Sequence, residues 1–208
     1  MSKTLVTLLY FFFLVTISNA QSFRTVENTS TYQLQIIDSN YFNSHRLKSK
    51  TEFDTSTRAI NVQNATTILP LTNGKTVRLR SIDYPALVDY TYQGLFKKYR
   101  LYLVQVSYPE YYYYYLINDS TGKIDTLQGQ PEFSPLGNYF ATNVCVRANS
   151  MLEMHITNRK TGKSIIITCP DETERPDMDW EWENDTTLLF YGYSLAKDDL
   201  VYYRLIMK

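Results

Sequence analysis

Asn118-Asp119-Ser120-Thr121-Gly122-Lys123 and Asn158-Arg159-Lys160-Thr161-Gly162-Lys163 are two versions of one turn, and Leu71-Thr72-Asn73-Gly74-Lys75 is a shorter third. Their glycines lie 48 and then 40 residues apart in a chain of 208. Glycine supplies the positive φ that a hairpin turn or bulge demands, and an Asn or Asp ahead of it tolerates the same region. Apolar, β-branched and aromatic runs enter each turn (67–71, 111–117, 152–157) and leave it (76–80, 124–127, 164–168). Such runs read as strands.

A further strand precedes two of these hairpins, at 98–104 and 138–146, and a last pair follows at 186–194 and 200–207. Two of these strands are entered through an aromatic and a turn, Phe133-Ser134-Pro135-Leu136-Gly137-Asn138 and Trp182-Glu183-Asn184-Asp185. Units of 40 to 50 residues with three or four strands are the pattern of propeller blades. The expectation is an all-β, antiparallel, propeller-like array of three- to four-stranded units over 67–208, with a β-sandwich as the alternative. Residues 21–66 belong to the same domain. Within them 32–37 reads as a strand, and the polar run 38–57 is either a long loop or a degenerate first unit.

The entry Phe133-Ser134-Pro135-Leu136-Gly137-Asn138-Tyr139-Phe140-Ala141, followed by Asn158-Arg159-Lys160-Thr161-Gly162-Lys163, resembles the WD40-like repeat of TolB-type β-propeller proteins. That repeat runs approximately W/F-S-P-D-G-K-x-apolar-A, then D-x-x-T-G-K. The resemblance covers residues 98–208, and 60–97 more weakly. Leu136 stands where the repeat has Asp, and the entry at 182–185 lacks Ser-Pro and Gly. The resemblance implies a surface for protein or ligand contact and no particular chemistry.

Residues 1–20 read as a cleavable secretory leader: Lys3, an uncharged apolar run from Leu5 to Ile17, and Ser18-Asn19-Ala20 before the cut. The apolar run is shorter than the roughly 20 residues a membrane-spanning helix needs. The expected product is extracytoplasmic, secreted or periplasmic, without membrane insertion after cleavage. Its 188 residues carry 20 basic and 21 acidic side chains, a balance that argues against a nucleic-acid partner. Tyr is in excess at 19 residues, beside 2 Trp and 10 Phe. It favours strands and half-wet surfaces. Cys145 and Cys169 are the only cysteines. Export permits a disulfide between them. However, they end the first and third strands of one unit, about 9–10 Å apart, which disfavours a bridge.

The candidate ligand site is the acidic and aromatic segment 171–185. In an extended chain Asp179, Glu181 and Glu183 share one face while Trp180 and Trp182 share the other. Aromatic faces flanked by carboxylates could stack a sugar, bind a cationic peptide or take Ca²⁺ on oxygen ligands. The spacing does not match a dedicated calcium loop, however, and the same alternation describes a half-buried strand with both Trp in the core. Tyr113 joins the candidates from the run 111–115, which puts tyrosines on both faces of one strand. His45 and His155 read as surface residues, and no nucleophile signature surrounds any Ser. No motif calls for a metal or cofactor. Sequons occur at Asn28, Asn64, Asn118 and Asn184. Two functions are expected from these features. The first is an exported non-enzymatic binding module for a protein or glycan. The alternative is a small extracytoplasmic hydrolase acting on glycans through carboxylates of 171–185, such as Asp177, Asp179, Glu181 and Glu183.

Overall fold

The Asn side chain opens each longer turn. In the computed structural model Asn118 Oδ1 accepts the Ser120 and Thr121 amides at 3.0 and 2.9 Å, and Asn158 Oδ1 accepts those of Lys160 and Thr161 at 3.0 Å. The glycine amides then return to the Asn118 and Asn158 carbonyls, both at 2.8 Å. Gly74, Gly122 and Gly162 all have positive φ, of 80°, 74° and 70°. Each turn joins the last two strands of a different sheet. The structure describes residues 24–47, 53–56, 61–83, 87–146, 151–168, 180–194 and 198–208. Residues 1–20, read above as a leader, and Cys169, Asp177 and Asp179 lie outside them.

The described residues form sixteen strands and one α-helix, all paired strands being antiparallel. Sheet 1 holds β3 (Asn61–Gln63), β4 (Thr66–Pro70) and β5 (Thr76–Arg80). Sheet 2 is β6 (Asp89–Phe96), β7 (Leu101–Ser107), β8 (Tyr112–Asn118) and β9 (Ile124–Leu127). Sheet 3 is β10 (Glu132–Phe133), β11 (Tyr139–Val146), β12 (Met151–Asn158) and β13 (Ser164–Thr168). Sheet 4 joins the two ends of the chain. β14 (Trp180–Asn184), β15 (Thr187–Ser194) and β16 (Asp199–Met207) continue into β2 (Tyr32–Ile37) and β1 (Arg24–Asn28). The chain is thus all-β and antiparallel, built of three- to five-stranded sheets. No helix among the described residues is long and apolar enough to cross a membrane.

The four sheets stack face to face. Leu69, Leu71 and Leu79 of sheet 1 meet Tyr102, Val104 and Ile117 of sheet 2. The other face of sheet 2, with Leu101, Leu103 and Leu116, meets Phe133 and Phe140 of sheet 3. Ala141, Met154 and Ile156 on the opposite side of sheet 3 pack on Trp182, Leu188 and Phe190 of sheet 4. The helix α1 (Ser39–His45) covers the remaining face of sheet 4, where Tyr41 and Phe42 meet Ile37 and Leu189. β7 and β15 are therefore covered on both faces over their first four residues, which explains the buried runs 101–104 and 187–190. Burying each large apolar side chain contributes about 1.5–3 kcal/mol, so these interfaces dominate the stability.

Strands β6 and β10 add a leading strand to the two units in which the sequence shows three, and β14 adds one ahead of the final pair. The described parts of the polar run 38–57, residues 38–47 and 53–56, form a short helix and contacts to two sheet edges. Asp38 caps α1 by accepting the Tyr41 amide at 2.7 Å. Beyond the helix the Leu47 amide donates to Trp182 O on edge strand β14, at 2.9 Å. Asp54 exchanges two backbone bonds with Leu95 of edge strand β6, at 2.9 and 2.8 Å. Covering such edges removes templates for pairing with another chain.

The turn edge of the stack is laced together. Thr72 of sheet 1 donates its amide to Asp119 O at 2.8 Å, and Arg100 Nη2 donates to Thr72 Oγ1 at 2.6 Å. Arg159 of sheet 3 lies 4.9 Å over the Tyr99 ring, in the turn between β6 and β7, and donates to Gly137 O at 2.9 Å. Asp185 of sheet 4 accepts Ser134 Oγ at 2.5 Å, the Leu136 amide at 2.9 Å and Asn138 Nδ2 at 2.5 Å, all on the entry turn of sheet 3. Burial pushes the Asp185 carboxyl up, but hydrogen bonds from Ser134, Asn138 and the Leu136 amide outweigh it and hold it below its ordinary value.

Two outcomes follow from this edge. A Cβ at Gly162 meets nothing, whereas one at Gly122 presses on Leu71 and Val77 of sheet 1 at 3.1 and 3.3 Å. Gly162→Ala should cost only the backbone strain of about 1–2 kcal/mol, and Gly122→Ala measurably more, in urea denaturation. The lowered Asp185 pKa stabilises the fold above about pH 4, and that contribution is lost as pH falls through the folded value. Stability should drop less steeply in acid for Asp185→Asn than for wild type, read from urea midpoints across pH.

Candidate functional site

At the end of sheet 2 away from its Gly-Lys turn, Pro109-Glu110 closes the β7–β8 hairpin, and the Tyr108 amide donates to Tyr111 O at 2.8 Å. Proline at this position fixes the φ a tight turn needs. Val106 pairs with Tyr113 and Ser107 with Tyr112. With a side-chain period of two, Tyr111, Tyr113 and Tyr115 fall on the face toward sheet 1, and Tyr112 and Tyr114 on the face toward sheet 3. Exposure climbs along each. On the first face Ile117 is at 0 %, Tyr115 and Tyr113 are half-buried, and Tyr111 reaches 52 %. On the second, Leu116 is at 3 % and Tyr112 at 58 %. The strand is core at its turn end and surface at its tip.

The first face is a contiguous aromatic cluster. Tyr108 stacks on Tyr111 with ring centroids 4.6 Å apart, Tyr113 follows at 5.7 Å from Tyr108 and 5.5 Å from Tyr115, and Tyr90 lies 6.1 Å from Tyr115. Hydroxyls link the rings, Tyr108 to Tyr113 at 3.3 Å and Tyr113 to Tyr115 at 3.5 Å. Burial, then hydrogen bonding to Tyr108 and Tyr115, pushes the Tyr113 phenol well above its ordinary range. Burial raises Tyr90 too, aided by Tyr115 and Tyr108. On the second face Tyr112 meets Tyr114 edge-on at 5.9 Å. Beside them Gln93 Nε2 donates to Gln105 Oε1 and Gln105 Nε2 to Ser107 Oγ, both at 3.2 Å.

Of the residues singled out from sequence, Tyr113 lies at the centre of this cluster. Trp182 is 3 % exposed in the interface of sheets 3 and 4, and Trp180 packs half-buried against the same core. Their strand alternates as expected, with Glu181 and Glu183 on the helix side. Glu183 takes Arg204 Nε at 2.7 Å and the Tyr41 hydroxyl at 2.8 Å, while Glu181 lies 3.4 Å from Arg46. Burial, then the bond to Glu183, pushes Tyr41 up to about 12. His45 stacks on Tyr41 at 3.9 Å, and His155 Nε2 lies 3.0 Å from Glu153. Cys145 is on β11 opposite Leu152, and β12 separates β11 from β13. Asn118 uses its side chain inside its own turn. Tyr90, Tyr108, Gln93 and Gln105 escaped the sequence reading. The Pro109-Glu110 pair between two β runs was the available signal for the hairpin tip.

Comparison with family models, curated proteins and solved structures found no match in any of the three.

The raised phenols predict an alkaline limit. A tyrosine held neutral in the fold contributes stability below its unfolded value of about 10, and that stability is lost as pH rises through the folded value. Tyrosinate absorbance should therefore report a late-titrating set that appears with unfolding. Tyr113→Phe should make stability fall less steeply above about pH 10.

Proposed function

We propose that this chain is an exported, non-enzymatic binding module. In this reading its sheets are propeller-like blades akin to the WD40-like repeats it resembles, and the tyrosine-rich tip of sheet 2 meets a protein or a glycan. One observation carries the reading: Tyr111 and Tyr112, exposed by 52 % and 58 %, stand on opposite faces of a strand whose other end is fully buried. Tyrosine at such a place presents a rigid apolar face with a hydroxyl at its rim, at small entropic cost, and is enriched where proteins make contacts. The leader at 1–20 supports export, and the repeated turns support a scaffold that holds its tips rigid.

Glycoside hydrolysis through 171–185 has less support. It needs one carboxyl raised to act as an acid and another aimed at the same bond. Glu183 instead meets Arg204 and Tyr41, and Glu181 faces Arg46.

The test is affinity capture from the native extracellular or envelope fraction, using the mature chain and a Tyr111→Ala/Tyr112→Ala variant of equal melting temperature. Wild type should retain material that the variant loses. Retention by both alike, or by neither, contradicts the reading.

A further inference from the structure

Resting on that reading, we infer that the ligand is a neutral saccharide, seated on the face of sheet 2 that carries Tyr112, Tyr114, Gln93, Gln105 and Ser107. Three observations converge there. Tyr112 and Tyr114 lie 5.9 Å apart at 82°, so they offer one ring face and one ring edge. Tyr112 is 58 % exposed, while Tyr114 is half-buried and anchored against the apolar cluster between sheets 2 and 3. An exposed ring fixed by a buried neighbour is a platform on which the C–H face of a sugar can stack with little ordering cost.

The second observation is the amide chain. Gln93 donates to Gln105, and Gln105 to Ser107, each at 3.2 Å. This chain orients both amides before any ligand arrives. Each amide nitrogen carries a second N–H beyond the one used in the chain, and each carbonyl oxygen has two lone pairs. An oriented amide therefore offers the donor and acceptor pair that adjacent sugar hydroxyls require. The register explains the placement, since Gln105 pairs with Tyr114 on one side and Thr91 on the other, and Ser107 pairs with Tyr112.

The third is charge. Asp89 pairs with Ser107 at the rim and is itself hydrogen-bonded, accepting Ser81 Oγ at 2.8 Å and Thr91 Oγ1 at 3.4 Å. Aromatic rings, amides and hydroxyls, with the Asp89 carboxylate already bonded at the rim, complement an uncharged polyhydroxylated ligand. An anionic surface or acidic peptide would call for clustered Lys or Arg instead.

Isothermal titration calorimetry of the mature full-length chain against neutral gluco-, manno-, xylo- and N-acetylglucosamine oligosaccharides tests this. At least one should bind saturably. Tyr112→Ala and Gln105→Leu should each weaken it by about tenfold, and Tyr112→Phe should keep the ring and most of the affinity. Matching melting temperatures establish that the variants fold. No saturable binding across the panel, or Tyr112→Ala and Gln105→Leu variants that bind as wild type, overturns the inference. If the panel fails while the tip variant still loses captured material, the binding reading stands and the saccharide falls; if capture fails too, both fall.

Discussion

The structure depends on what the residue after three of its turn asparagines, Asn118, Asn158 and Asn184, does. The asparagine closes its own turn and leaves its neighbour, Asp119, Arg159 or Asp185, at the edge of the sheet, where it meets a turn residue. Asp185 reaches Ser134, Leu136 and Asn138 of sheet 3. Arg159 covers Tyr99 of sheet 2, and the carbonyl of Asp119 receives Thr72 of sheet 1. Apolar interfaces alone are non-directional and would let sheets slide. The hydrogen bonds to the Asp185 carboxylate contribute about 1.5–3 kcal/mol, and the Thr72–Asp119 backbone bond and the Arg159–Tyr99 contact about 1 kcal/mol each. All demand geometry, so these contacts set the register between sheets that hydrophobic burial holds together.

Locking one edge leaves the other available. Near the Gly-Lys turn the central strands β7 and β8 of sheet 2 are covered on both faces. Toward the β7–β8 hairpin the same strand emerges from cover, and side chains that would be core elsewhere become surface. The tyrosines suit this gradient because one residue type serves both ends: Tyr102 is buried with its hydroxyl on Pro70 O at 2.6 Å, and Tyr112 is largely exposed. The binding surface proposed for the tip follows from the same strand that supplies the core.

The three hairpins were legible because everything that makes them is local: Gly for positive φ, Asn for the turn, β-branched and aromatic runs on either side. So was the alternation of Trp180, Glu181, Trp182 and Glu183. Sheet 4 was not legible, since pairing β2 with β16 joins the two ends of the chain and leaves no mark within either strand. β10 has two residues, too few to alternate, and β6 is interrupted by a bulge between Tyr92 and Gly94. The helix spans seven residues and buries only Tyr41 and Phe42, short of a readable helical period. In the candidate site Tyr113 could be picked from its run, while Gln93, Gln105 and Ser107 meet only through cross-strand register.

The most direct test of the locked edge is a double-mutant cycle between Arg159 and Tyr99, which belong to different sheets. With Arg159→Ala, Tyr99→Ala and the double variant compared by urea denaturation, the cation–π contact predicts a coupling of about 1 kcal/mol. Additivity of the two substitutions within about 0.3 kcal/mol would contradict a stack held in register by its turns.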